Sequence, residues 1–286
     1  MCSRLSGRAE PPDPPRTSAQ FTTPTIGQRT FSWELCLSAA KNHIVAHQLL
    51  VIVPVDDKKK CLQPLLCEWI AELESAGIDY GVVLLDDGAC PVIGGILESL
   101  VRERGDDRIQ RSRQHKTGHG QMCLEGYRLA CWNHARWVLQ IDAGGRCDPA
   151  FFRAMWDRRH DYEVVYGHRT ERLDGWTRRL SGALLRGLVR MTAGVDCPDA
   201  NVPYRLMSTN GLLPVVETVP TGFNFANVAL AVQLKRAGWR EASVPIVFRR
   251  ASGPPTAVPL ARSLGQALEL CGQLLLLPRP VLRQTH

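Results

Sequence analysis

The chain has 286 residues, with 35 Lys and Arg against 28 Asp and Glu for a formal charge of +7. Hydrophobic residues at 44% and charged residues at 22% match ordinary folded domains, which excludes wholesale disorder, collagen and coiled coil. No run approaches the ~20 apolar residues of a membrane-crossing helix, and the polar start lacks the apolar core of a signal peptide, so a cytoplasmic location is expected.

Residues 1–28 hold Pro11, Pro12, Pro14, Pro15 and Pro24 among polar residues and predict a flexible tail, followed by a helix over 29–47. Apolar runs and helical spacings then alternate. Leu49–Val55 is a continuous apolar run rich in β-branched residues, as in a strand buried on both faces. The spacing of Leu62, Leu65, Leu66, Trp69, Ile70 and Leu73 predicts a helix over 61–76. A strand over 80–85, a helix over 92–104, a strand over 108–111, a helix over 120–133 and a strand over 136–141 follow. Further on come a helix over 149–159, a strand over 163–167 and a basic amphipathic helix over 175–192. A loop over 195–204, helical segments over 207–217 and 223–238, a strand over 243–248 and a helix over 260–276 complete the pattern. Strands alternating with helices imply an α/β fold with a mostly parallel sheet flanked by helices.

The ten cysteines are scattered without a CxxC pair, which fits reduced core residues rather than a zinc site or a disulfide framework. Only 6 of the 35 basic residues are lysine. Arginine binds phosphate through two parallel hydrogen bonds, so a phosphorylated partner is one reading, and genome composition is the other. No nucleic-acid-binding motif is present. Ligands of parallel sheets bind beyond the carboxyl ends of the strands. Three strands end there in acids: Asp56 and Asp57, Asp86 and Asp87, and Asp142. Such acids cap helices or accept hydrogen bonds from a nucleoside, and the glycines at 118, 120, 144 and 145 would allow a ligand close to the backbone.

In order and spacing these segments resemble the family 2 glycosyltransferases of GT-A fold, and among them the polyprenyl-phosphate and dolichol-phosphate sugar transferases. The residues that carry the likeness are Val51–Lys58 around Pro54, Leu85-Asp86-Asp87-Gly88, Lys116-Thr-Gly118-His119-Gly120, Asp142–Pro149, Val164-Val165-Tyr-Gly167-His168-Arg169 and Asp199–Met207. The resemblance covers 48–250 and leaves 251–286 as a linker and terminal helix. It implies a Rossmann-like GT-A domain and inverting transfer of a sugar from a UDP- or GDP-sugar to a polyprenyl phosphate or a small metabolite. It further implies that Pro54, Asp57, Asp87, Lys116, Gly118, Asp142 and Gly144 face the nucleotide sugar. Asp142 would meet the ribose or a Mg²⁺ or Mn²⁺ ion, Arg205 would hold phosphate, and Asp199 would face the acceptor, as a base where that acceptor is a hydroxyl and not where it is an ionised phosphate.

The chain departs from the pattern at the D-x-D signature, where the second acid is Gly144 and Arg146 follows two residues on. Glycine ligates no metal through a side chain, and an arginine repels a cation. One reading is that Arg146, with Lys116, supplies the positive charge itself. The alternative is a catalytically decayed protein that binds nucleotide sugars or acts as a scaffold. The amphipathic helix 175–192, with Leu184 and Met191 on its apolar stripe, suits either packing on the core or a peripheral membrane contact, and segment 264–277 a membrane-facing or homodimerising helix.

Overall fold

The computed structural model describes residues 47–55, 62–86, 92–104, 108–113, 118–171, 176–249 and 260–278. The expected tail over 1–28 lies outside them, as does all but the last residue of the helix expected over 29–47.

β1 (Leu49–Val55) and β2 (Tyr80–Asp86) are buried along their whole length. Leu50 and Ile52 point into one core cluster, and Leu49, Val51, Val53 and Val55 into another on the opposite face. That two-sided burial is why the run is continuously apolar instead of alternating. α1 (Leu62–Ser75) buries Leu62, Leu65, Leu66, Trp69, Ile70 and Leu73 against one face. Its Trp69 meets Phe152 and Tyr204 edge-on, with ring centroids at 5.8 and 5.6 Å. Each such large side chain contributes about 1.5–3 kcal/mol on burial.

α2 (Val92–Arg104), β3 (Ile109–Arg113), α3 (His119–Trp132) and β4 (Trp137–Gln140) continue the alternation. The helix expected over 149–159 is broken into a single α-turn region, α4 (Phe152–Asp157), between two 3₁₀ turns at Pro149–Phe151 and Arg158–His160. β5 (Val164–Glu171) and α5 (Trp176–Ala193) follow. The helical segment expected from 207 begins instead as a strand, β6 (Arg205–Ser208), which pairs antiparallel with β4 from Gln140↔Arg205 to Trp137↔Ser208. Helix formation is confined to α6 (Leu212–Glu217) and α7 (Ala226–Arg236), before β7 (Glu241–Val247) and α8 (Leu260–Leu275).

The seven strands form one sheet in the order β3-β2-β1-β4-β6-β5-β7. β3, β2, β1 and β4 run parallel, β6 is antiparallel to both neighbours, and β5 pairs parallel with β7. The antiparallel β6 brings its first residue, Arg205, level with the end of β4, so the loop before β6 and the loop after β4 meet at one edge. α1 and α4 supply one core cluster, and α3, α6, α7 and α8 the other.

α5 and α8 pack together, and their core faces use Leu185, Val189 and Ala193 on the first and Leu270 and Leu274 on the second. Leu184 and Met191, on the apolar stripe of the first helix, are 57% and 80% exposed, and Leu268, Leu275 and Leu276 on the second helix and just after it are exposed as well.

Candidate active site

The site is assembled at the carboxyl edge of β1, β2 and β4, from three acids that each meet an arginine. At the end of β2, Asp86 is fully buried and accepts from Arg111 on β3, with Nε at 2.9 Å. Sequence reasoning preferred its neighbour Asp87. Asp87, Asp57 and Lys116, all expected to face the nucleotide, lie outside the described residues. Pro54 is buried within β1 as a sheet residue.

The second acid is Asp142, just past β4. Its side chain is 7% exposed, and it accepts from Arg146 Nε at 2.5 Å and from the Arg146 backbone N–H at 3.3 Å. The Cys147 thiol adds a third contact at 3.4 Å. Burial pushes that thiol well above its usual pKa, with the Asp142 charge adding to the effect, so it stays protonated as a donor. Gly145 turns this loop with φ of 71°, a region open to glycine without strain. The loop is then clamped to the end of β7: Arg249 N–H donates to the Arg146 carbonyl at 3.1 Å, and the Arg249 guanidinium reaches both Asp148 oxygens at 3.0 Å. The arrangement leaves Asp142 bonded to a cation of its own chain, and Gly144 offers no side-chain donor. Among the described residues no three His, Cys, Asp or Glu side chains gather as a metal site. The described donor set therefore does not fit Mg²⁺ or Mn²⁺ at Asp142, and what it does present there is the guanidinium of Arg146.

The third acid is Asp199, 4% exposed in its side chain, held by Arg169 of β5 through Nε at 2.7 Å and a second hydrogen bond from Nη2. The Arg146 and Arg169 guanidiniums both lie by the ring of Phe248, at 5.7 and 5.4 Å from its centroid. An aromatic face attracts cations, so Phe248 holds the two arginine heads in one place despite their like charge. Nothing in the spacing pointed to Phe248. Arg169 stands in the V-V-x-G-x-R segment, which was the available signal for it.

Arg205 does not do what the resemblance implies. It is fully buried, and its N–H groups donate to the carbonyls of Val202, Ala200 and Asn227 at 2.7–3.1 Å, with Tyr166 packed at 5.5 Å from the guanidinium carbon. A guanidinium that spends its donors on backbone carbonyls fastens the 199–204 loop to α7 and has no approach for a phosphate. The glycines also separate. Gly118 caps α3 with φ of 86° and open space around it. At Gly120 a Cβ would sit 2.9 Å from Ala226 Cβ and from the Phe223 carbonyl, so that glycine serves the packing of α3 on α7 and not a ligand.

A mostly parallel sheet with β6 reversed, and a cationic cluster where the loops after β4 and before β6 meet, define the class: this is a GT-A fold. No family model matches the chain. The chain is 28% identical over 152 residues to the undecaprenyl-phosphate 4-deoxy-4-formamido-L-arabinose transferase of Edwardsiella ictaluri (strain 93-146), covering 52% of this chain and 45% of that protein. It is 24% identical over 154 residues to the same-named transferase of Enterobacter sp. (strain 638), covering 54% and 46%. The chain thus spans just under half the length of the curated relatives it matches. Among solved structures it is similar to glucosyl-3-phosphoglycerate synthase from Mycobacterium tuberculosis. The complex with Mn²⁺, UDP and phosphoglyceric acid superposes with a TM-score of 0.57 at 15% identity, covering 89% of this chain and 86% of that one. The complex with phosphoglyceric acid gives 0.56 at 14%, covering 87% and 85%.

Proposed function

We propose that the protein is an inverting glycosyltransferase that moves a sugar from a UDP- or GDP-sugar to an ionised acceptor, with Arg146 meeting the charge of the departing nucleoside diphosphate. The observation that carries this reading is the Asp142–Arg146 pair at the end of β4, seated with Arg169 on Phe248. In the transfer step the acceptor oxygen bonds to the anomeric carbon as the bond from that carbon to the diphosphate oxygen breaks. The electron pair leaves on the diphosphate, and a cation fixed beforehand where that charge grows lowers the barrier. Arginine suits the task because it stays protonated and binds phosphate oxygens in pairs. Asp142 contributes by fixing the guanidinium, and Asp86 with the edge of β2 by bounding the nucleoside side.

Asp199 accepts a hydrogen bond from Arg169 on each of its two oxygens, so the carboxylate is engaged in holding that arginine and does not stand free as a base. An acceptor that arrives as a phosphate has no proton to lose. This favours a phosphorylated acceptor over a neutral hydroxyl, in keeping with the polyprenyl phosphate that the relatives' names specify. Among the described residues no helix is long and apolar enough to cross a membrane. The exposed Leu184, Met191, Leu268, Leu275 and Leu276 give such a lipid a peripheral membrane contact to approach along.

The test is release of nucleoside diphosphate by the full chain from a panel of UDP- and GDP-sugars, with undecaprenyl phosphate in anionic vesicles or without acceptor. Release that depends on the lipid phosphate is expected. Binding of UDP or GDP, seen as a thermal shift, without turnover under any condition would favour a nucleotide-sugar-binding scaffold instead.

A further inference from the structure

Of the large apolar side chains that the described residues leave exposed, all but Trp132 stand on α5, on α8 or just past α8. Exposed apolar residues gathered in this way mark a surface that something covers. The residues between them are small. On α5 the order Leu184, Gly187, Met191 is large, small, large, and on α8 the order Gly265, Leu268, Gly272, Leu275 is small, large, small, large. Both run at alternating steps of three and four, the spacing of a helix–helix seam. A Cβ placed on Gly187, Gly265 or Gly272 meets nothing within 4 Å, so each glycine is an open notch between apolar ridges. Laid against each other in either direction, the seams interlock: Leu184 and Met191 meet the two glycines of α8, and Leu268 meets Gly187.

Within one copy neither helix can fill the notches of the other. α5 turns Val189 and Ala193 to the core and α8 turns Leu270 and Leu274 to it, so both seams lie on the opposite, outward side. The charges beside the seams are complementary as well. Arg190 is exposed beside the α5 seam, where the nearby Asp196 is held by Arg186. Glu269 lies beside the α8 seam, and its partners Asn224 and Gln273 are neutral amides that leave its charge standing. Segment 264–278 contains no lysine or arginine, so this half of the face offers an anionic lipid no cation and finds its complement in another α5.

We propose that, away from a membrane, this face is covered by a second copy of the chain, with α5 of each copy on α8 of the other in a two-fold, four-helix contact. A two-fold contact uses the same patch on both copies, which a face carrying both a seam and its complement satisfies. It brings Arg190 of one copy to Glu269 of the other. The lipid contact proposed above uses the same ridge, so a bilayer and a second copy are alternatives on it. The inference stands on the two seams and does not depend on the transferase reading.

The test is sedimentation velocity on the full chain without lipid, over a wide range of concentration. A monomer–dimer equilibrium is expected. Gly187→Leu with Gly272→Leu fills the notches and should loosen the dimer about tenfold, while the melting temperature does not fall, because leucine favours a helix more than glycine does. A face that is merely adhesive would associate more tightly with two added leucines, and that result would overturn the proposal. Arg190→Glu should loosen the dimer about threefold, and adding Glu269→Arg should restore the parent value. A charge exchange without recovery overturns the pairing. A chain that stays monomeric at every concentration, whether or not it binds anionic vesicles, overturns it outright.

Discussion

The loop after β4 and the loop before β6 use the same device, a nearly buried aspartate locked by an arginine, but they are built differently. In the first, Asp142 and Arg146 are four residues apart, and the arginine is 30% exposed at the sheet edge. In the second, Asp199 reaches Arg169 thirty residues away on β5, and the loop is fastened from beneath by the fully buried Arg205. The first is a local turn whose charge can be changed by one substitution. The second is tied into the sheet, so the same kind of change there reaches the fold. One arm of the site is therefore free to vary its chemistry, and the other holds the frame against which that chemistry works.

The contrast breaks most severely at Arg205. Arg205→Met leaves the carbonyls of Ala200, Val202 and Asn227 buried without donors, and the loss should be about 3–5 kcal/mol, read as a lowered urea midpoint or failure to fold. Arg169→Ala leaves the Asp199 charge buried and unpaired, at a cost of about 2 kcal/mol because Arg169 keeps some solvent contact. Adding Asp199→Asn should recover part of that loss, and a double-mutant cycle measures how much. A cycle that shows no coupling would remove the pair from the account.

The smallest effect concerns the clamp on the first loop. Burial works to raise the Asp148 pKa, but the hydrogen bonds from Arg249 and the Ala150 N–H, with the Arg249 charge, outweigh it and hold the group below its ordinary 3.8. An acid lowered on folding adds stability above its ordinary value and loses it as pH falls through the lowered one. Chemical unfolding should therefore show stability dropping below pH 3.8 in the parent chain and a flatter acid limb in Arg249→Ala. The difference should stay below about 1 kcal/mol, since this pair is partly exposed.

Much of the architecture was legible because the parallel half of the sheet is covered on both faces. Continuous apolar runs such as Leu49–Val55 and helical spacings such as Leu62 to Leu73 report that burial directly. β6 was not legible. Four residues are too few to display alternation, Leu206 and Met207 with Leu212 and Leu213 imitate a helical face, and the strand exists only through long-range pairing with β4 on one side and β5 on the other. The site divides along the same line. Asp142 and Arg146 are close in sequence and stand out as a broken D-x-D signature, whereas Asp199 with Arg169, and Phe248 beneath two guanidiniums, depend on long-range packing. Arg205 misleads for a related reason: an arginine after a polar loop looks like a phosphate ligand until its burial is known.

The central claim is that Arg146 supplies the positive charge at the diphosphate. The direct measurement is the rate of sugar transfer from the nucleotide-sugar donor by the parent chain and by Arg146→Ala, each in EDTA and with added Mn²⁺. The account predicts that the parent chain keeps its rate in EDTA, and that Arg146→Ala loses about 10²–10³-fold in turnover while its folding stability changes little. A parent chain silenced by EDTA and restored by Mn²⁺, with Arg146→Ala close to the parent rate, would contradict it.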